Sequence, residues 1–270
     1  MTAEMFDATP LSPIPADLPD DPIALEALIS AAMAKRAELT YTACTEHQLT
    51  ELAYQREHNR RLADTADVPL LVEISDRAAY QQAGFRNFAG FLTQGLQLSA
   101  AESRRRRLLA EAVGIFTALH GEPLPPRCPA AAAALKDGTI TADHVLEIFK
   151  TLQKIPHTVD DAQRSQAEAD LTQAATTLTP EQTRLVGRRL LDYLDPDGDL
   201  TDETDRQRNR GLTLSHQDQQ LMTKLSGTLT PALRAMLEVV LTTWAAPGMN
   251  NPDDPDSPTG PVDGEGLDPE

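Results

Sequence analysis

One stretch, Asn87 to Leu119 (NFAGFLTQGLQLSAAESRRRRLLAEAVGIFTAL), limits the fold more than any other. Its apolar residues return every three or four positions, the period of an amphipathic helix and not of a strand. Ser99 has N-cap chemistry, and Glu102, three residues on, completes a capping-box pattern. The spacing predicts a short helix, a tight turn at Gly95 and a long second helix. That second helix carries Leu108, Leu109, Ala112, Ile115, Phe116 and Leu119 on one arc.

Four arginines follow the cap. At about 100° per residue they fan around the helix, so at most two or three can reach one partner. Arg106 and Arg107 fall outside the apolar arc, with Ser103 and Ala110 near them; Arg104 lies at its edge and Arg105 within it. A solvated helix start accounts for such a run, because arginine is a good helix former and its stem covers apolar surface. Cations at a helix N-terminus also oppose the macrodipole, by about a few tenths of a kcal/mol. That conflict favours a use for the charges, in contact with phosphate or an acidic partner. Both readings stand at this point, and Arg104, Arg105, Arg106 and Arg107 are the candidate DNA-binding residues.

Charge distribution narrows the partners. The chain has 270 residues and a net charge of -17. Residues 1–22 hold Glu4, Asp7, Asp17, Asp20 and Asp21, and residues 247–270 hold Asp253, Asp254, Asp256, Asp263, Glu265, Asp268 and Glu270; neither end has a Lys or Arg. A pI near 4.7 argues against simple polyanion binding. The region between the ends is far closer to balance, so a local basic patch fits there. Aromatics are only 4 % of the chain, and Leu and Ala dominate the apolar class, which favours helices. No apolar run approaches the roughly 18 residues of a membrane span. The N-terminus lacks the basic and apolar regions of a signal peptide. Cys44 and Cys128 are far apart, which suits a reducing cytoplasm and argues against a zinc site.

In chain order, residues 1–22 read as a disordered, proline-rich acidic tail. A helix begins near Asp21-Pro22, with a break expected near Thr40 to Thr45 or near Asp64 to Pro69. His58-Asn59 reads as a solvated pair on a charged helix. Gly84 ends a helix, and Phe85, Phe88 and Phe91 read as core more readily than as a base-stacking platform. His120 to Pro129 is a proline-rich loop. Short helices follow, closed by Gly138, capped by Thr141, spanning Asp161 to Thr176, and capped by Thr179-Pro180. His144 reads as a surface or half-buried side chain. Asp195-Pro-Asp197-Gly-Asp199 fails the calcium-loop test, since glycine is two positions early and Arg206 stands where the bidentate Glu belongs; it reads as a turn. Gly211 to Leu214 and Leu221 to Gly227 read as a small β-hairpin, with Ser215 as an alternative helix cap. Thr230-Pro231 starts a helix ending near Pro247, and residues 247–270 read as a second acidic tail. The expected fold is mainly α: one helical domain over residues 23–246, one hairpin and two loose ends.

The chemistry-bearing motifs are missing. There is no G-x-S-x-G, no P-loop and no G-x-G-x-x-G, and the six histidines do not approach metal-ligand spacing. No catalytic residue, metal ligand or cofactor is assigned.

Several segments together carry a resemblance: DRAAYQQAGFRNFAGFL with GLQLSAAESRRRRLLAEAVGIF, ALKDGTITADHVLEI, LLDYLDPDGDL, and GLTLSHQDQQLMTKLSGTLTPALRAMLEVVLTTWAAPGMNNPDD. In this order they resemble the 13E12 repeat family, whose shared region is domain of unknown function 222, over most of residues 25–255. Members of that family often continue into an HNH endonuclease domain. The resemblance therefore implies an association with nucleases of mobile elements. No histidine follows His216 and no cysteine follows Cys128, so the chain reads as a truncated or split copy, or a stand-alone N-terminal module. The implied function is a non-catalytic helical module that helps position a nuclease, or itself, on DNA. The alternative is a protein-interaction scaffold or dimerisation module without nucleic acid. Expected partners are DNA, a separate HNH chain or a second copy, and no membrane.

Overall fold

The computed structural model describes residues 18–118, 120–195, 206–207, 210–244 and 249. The expectations for both acidic tails and for the Asp195 to Asp199 turn fall almost entirely outside them. The chain divides into two compact units, Met1–Ile155 with Val159–Pro196, and Pro156–Thr158 with Asp197–Glu270. The fold class is as expected, mainly α with one small antiparallel sheet.

The larger unit runs α1 (Pro22–Ala37), α2 (Glu46–Asp76), a 3-10 turn at Ala79–Gln81, α3 (Phe88–Gly90) continuing as a π-helical turn to Gly95, α4 (Ala100–Val113), α5 (Pro129–Lys136), α6 (Ala142–Leu152), α7 (Asp161–Ala175) and α8 (Pro180–Leu194). Capping explains most starts. Asp21, Thr45, Ser99, Thr141, Asp160 and Thr179 each accept a backbone N–H of their helix's first turn. The main core is made by the second half of α2 (Val68, Leu71, Val72), Leu92, α4 (Leu109, Ala112, Val113), α5 and α6 (Val145, Ile148, Phe149), with Leu171 of α7.

Helix α5 is the exception among the starts. Its N-cap, Cys128, offers no side-chain bond. The buried Glu168 of α7 accepts from Ala130 N–H at 2.8 Å and Ala131 N–H at 3.1 Å instead. Burial pushes this carboxyl above the usual carboxylate range, and the two backbone donors oppose that.

Several local expectations are corrected. The break before α2 falls at Leu39 to Thr45, as the first of the two alternatives has it, and not at Asp64 to Pro69, through which α2 runs unbroken. Helix α4 stops at Val113, well short of Leu119, because the chain at Gly114 runs against α2. A Cβ at Gly114 would lie 2.7 Å from Val72 Cγ2. Ile115 and Phe116 therefore leave the helix. The chain folds back on itself, with Leu124 N–H donating to Phe116 O at 2.8 Å and the turn made by Gly121 at φ 86°. His58 is buried, not solvated. Gly138, at φ 68°, approaches so closely that a Cβ there would sit 2.5 Å from His58 Nδ1.

His144 is buried as well, and it completes the Thr141 capping box in the place usually held by Glu or Gln. Thr141 N–H donates to His144 Nδ1 at 3.1 Å, and His144 Nε2–H donates to the Leu178 carbonyl at 2.8 Å. Those two bonds require the neutral ring. Burial lowers its pKa from the ordinary value, Leu178 opposes, and the Arg61 charge adds to the lowering. The three phenylalanines are half-buried, and two of them reach the core. Phe88 and Phe91 pack on the main cluster, and Phe85 meets Phe91 edge-on at 5.7 Å.

The smaller unit contains β1 (Gly211–Leu214), β2 (Leu225–Thr228) and α9 (Pro231–Trp244). The strands pair antiparallel from Gly211↔Thr228 to Leu214↔Leu225. The second strand starts later than expected, because Leu221 turns at φ 61° and Ser215 pairs with Lys224 across the hairpin. Ser215 does not cap a helix.

Candidate functional site

Helix α4 positions all four candidate arginines, and the structure makes them unlike one another. Ser99 Oγ accepts Glu102 N–H at 3.1 Å, as the cap predicts. The reciprocal half of the box does not form, because the Glu102 carboxylate takes Arg106 Nε at 2.8 Å and lies 3.7 Å from Arg105 Nη1.

Arg105 is the hub of a junction between three helices. Its guanidinium forks onto Asp64 of α2, with bonds of 3.2 and 3.0 Å, while its Nε donates to Asp143 at the start of α6, at 3.1 Å. The side chain is 26 % exposed. The bonds to Asp64 raise its pKa further above the arginine range, burial opposes them, and Asp143 adds to the rise. A planar fork across a carboxylate is arginine's particular geometry.

Arg106 does not face outward. Ser103 and Ala110, which the wheel set beside it off the apolar arc, are both buried, so Arg106 projects from the middle of the packed face. It is 31 % exposed in its side chain and reaches Glu102 and, at 3.4 Å, Asp67 of α2. Burial raises the Asp67 carboxyl pKa, Arg106 opposes, and Asp64, Glu26 and Glu102 add to the rise. Two arginines thus stand among four carboxylates, Asp64, Asp67, Glu102 and Asp143. This junction carries net negative charge and would repel a phosphate.

Arg104 and Arg107 are exposed and make no ion pair or side-chain hydrogen bond among the described residues. Arg107 stands at the rim of a groove of about 390 Å³. Its floor and walls include Leu71, Phe88, Ala110, Phe116 and Leu124. Arg127, which also lines the groove, is paired at 2.6 Å with Glu111, one turn along α4 from Arg107. The groove depends on the early end of α4: had the helix run to Leu119, Phe116 and Leu124 would not face each other. Asp76 of α2 holds the wall by accepting Thr117 N–H at 3.0 Å.

Sequence reasoning missed Asp64, Asp67 and Asp143 as partners of the arginines. They lie 38 to 41 positions away in the chain, and no local pattern links them. Among the described residues, no group of His, Cys, Asp and Glu side chains could hold a metal. No helix among them is long and apolar enough to cross a membrane.

Comparison with known proteins gives the family. The model of domain of unknown function 222 (DUF222) matches residues 49–266. The chain is 37 % identical over 227 residues to the uncharacterized protein Rv1128c of Mycobacterium tuberculosis, covering 84 % of this chain and 50 % of that protein. It is 35 % identical over 224 residues to the uncharacterized protein Mb1179c of Mycobacterium bovis, covering 83 % and 49 %. The chain thus spans about half the length of the curated relatives it matches. No solved structure matches it. The match covers the four segments that carried the resemblance, from the arginine helix to the α9 region, and on it the chain belongs to the DUF222 family.

Proposed function

We propose that this chain is a non-catalytic helical module that works by protein contact. The observation that carries this reading is the first helix. No residue of α1 is buried, although it carries Ile23 (81 % exposed), Leu28, Ile29 and Met33 (48 %). Leu49, Leu52 and Tyr54 on the first half of α2 are exposed too. A 16-residue helix with no buried face is marginal in water, since most helical stability in proteins comes from packing. Uncovered apolar side chains in one region mark an interaction surface. The first partner to test is a second copy, because each copy presents the same exposed apolar side chains and pairing between like surfaces closes a two-fold dimer. Light scattering on a size-exclusion column should give twice the chain mass, and Ile29→Glu with Met33→Glu should return it to one. A chain that is monomeric at 100 µM, to about that concentration, rules out self-contact at a useful affinity.

A second reading rests on Arg104 and Arg107, the two guanidiniums of the run left unpaired. It assigns them weak phosphate contact, in keeping with the association with HNH nucleases that the resemblance implies. Two phosphate contacts would give a salt slope of only about -2, against the chain's net charge of -17. Anisotropy with a labelled duplex at low salt tests it. Equal affinity for the wild type and Arg104→Ala with Arg107→Ala removes it.

A further inference from the structure

We infer that the groove between α4 and the Phe116–Leu124 wall is a docking site for a short peptide that places a large apolar side chain beside an Asp or Glu. This inference stands apart from the α1 surface, since none of the groove's residues belongs to α1 or to the first half of α2.

Three observations carry it. The groove's size, about 390 Å³, falls in the range of sites that hold a small ligand, about 300–1,000 Å³. Its interior is apolar, with the buried Leu71 and Ala110 beneath and Phe88, Phe116 and Leu124 around. Its rim offers one guanidinium, Arg107, that is exposed and has no partner among the described residues. A guanidinium with no carboxylate of its own is a ready fork for one from outside. Arg105 and Arg106, one turn or less away, are both paired, and Arg104, the other unpaired arginine of the run, does not line this groove.

The walls are held in place before any ligand arrives. Phe116 and Leu124 are joined by a backbone bond, Ala118 N–H donates to Glu122 O at 2.8 Å, and Cys128 N–H donates to Ala112 O at 2.9 Å. A preformed site loses little freedom on binding. The groove is open along the surface, with Leu124, Arg107 and Arg127 exposed, which suits an extended chain laid across it. Arg127 also lines the groove, and its pairing with Glu111 leaves no second free charge there. A single apolar side chain flanked by one acid therefore matches what the groove presents.

The test uses the full chain and three fluorescein-labelled peptides, Asp-Leu-Phe-Glu, Lys-Leu-Phe-Lys and Asp-Ser-Ser-Glu, followed by fluorescence anisotropy. The first should bind saturably and the other two at least tenfold more weakly, since each lacks one half of the match. Arg107→Glu should weaken the first by about tenfold or more, and Leu124→Asp should do the same, while Arg104→Ala leaves it unchanged. Circular dichroism melts confirm that the variants are folded, and Arg107 and Leu124 are both exposed enough for substitution to be tolerated. The inference is overturned by absence of saturable binding, by equal binding of the three peptides, or by an Arg107→Glu variant that binds as well as the wild type. Hexanoate competing as well per molecule as the peptide would also overturn it, by showing a small-molecule site.

Discussion

Replacing Arg105 by Ala should cost far more than replacing any other arginine of the run. The substitution leaves Asp64, Asp143 and Glu102 without the guanidinium they share. Removing one member of a buried pair costs about 3–5 kcal/mol. Arg105 and Asp64 are 26 % and 31 % exposed in their side chains, so solvent screening brings the figure down to about 2–3 kcal/mol. For a body of this size each kcal/mol moves Tm by about 2–4 °C, giving a fall of about 4–12 °C. Arg104→Ala, with no partner to strand, should stay within about 0.5 kcal/mol of wild type. Arg105→Lys keeps the charge and loses the fork, and should fall between the two. Urea unfolding followed at 222 nm reads all three, with an unchanged m-value showing that stability alone has moved. Adding Asp64→Asn to Arg105→Ala should recover part of the loss. If Arg105→Ala unfolds within about 0.5 kcal/mol of wild type, or Arg104→Ala proves equally costly, the junction does not hold these helices together.

Four further outcomes follow from the packing. The lowered His144 pKa means that folding favours the neutral ring, so its contribution is present above the ordinary histidine pKa and is lost as pH falls through the folded value. Melts from pH 7.5 to 5 should show that loss in the wild type and less of it in His144→Gln. Glu168 has the opposite sign: its raised pKa contributes stability below the ordinary carboxylate value that disappears as pH rises through the folded one. Glu168→Gln, which keeps an oxygen toward Ala130 and Ala131, should be neutral or stabilising at pH 7, whereas Glu168→Ala should cost about 2–4 kcal/mol by stranding both donors. Gly138→Ala should cost about 2 kcal/mol or more in the same melts, because it meets the His58 ring at a positive φ. Cys128, whose thiol burial pushes up to about 12, should resist iodoacetamide in the native state while the less buried Cys44 reacts, as mass spectrometry of the labelled chain would show.

The sequence made legible what is decided within a few residues. Ser99, Thr141 and Thr179 announced their helices because a hydroxyl and a backbone N–H three positions on are local neighbours. The β1–β2 pairing followed from alternation on either side of a polar break. What it hid was decided across the fold. The end of α4 depends on Val72, and the burial of His58 depends on Gly138, 80 positions away in the chain. The wheel placed Arg106 with Ser103 and Ala110 correctly, yet took small and polar residues for an outward face. In fact Ser103 and Ala110 let α4 pack closely, and Arg106 lies between them. The division of the arginine run was invisible for the same reason, since Asp64, Asp67 and Asp143 approach only once α2 and α6 are in place.

The borrowed start of α5 bears on the order in which the chain can be made. With eight residues and no local cap, α5 is marginal on its own until Glu168 is available. On the ribosome, residues 129–136 leave the exit tunnel before α7 does, so for that interval the two donors of Ala130 and Ala131 are satisfied by water. The middle of the core, which Ala131 and Leu135 complete, is therefore expected to gain its full stability only when α7 docks.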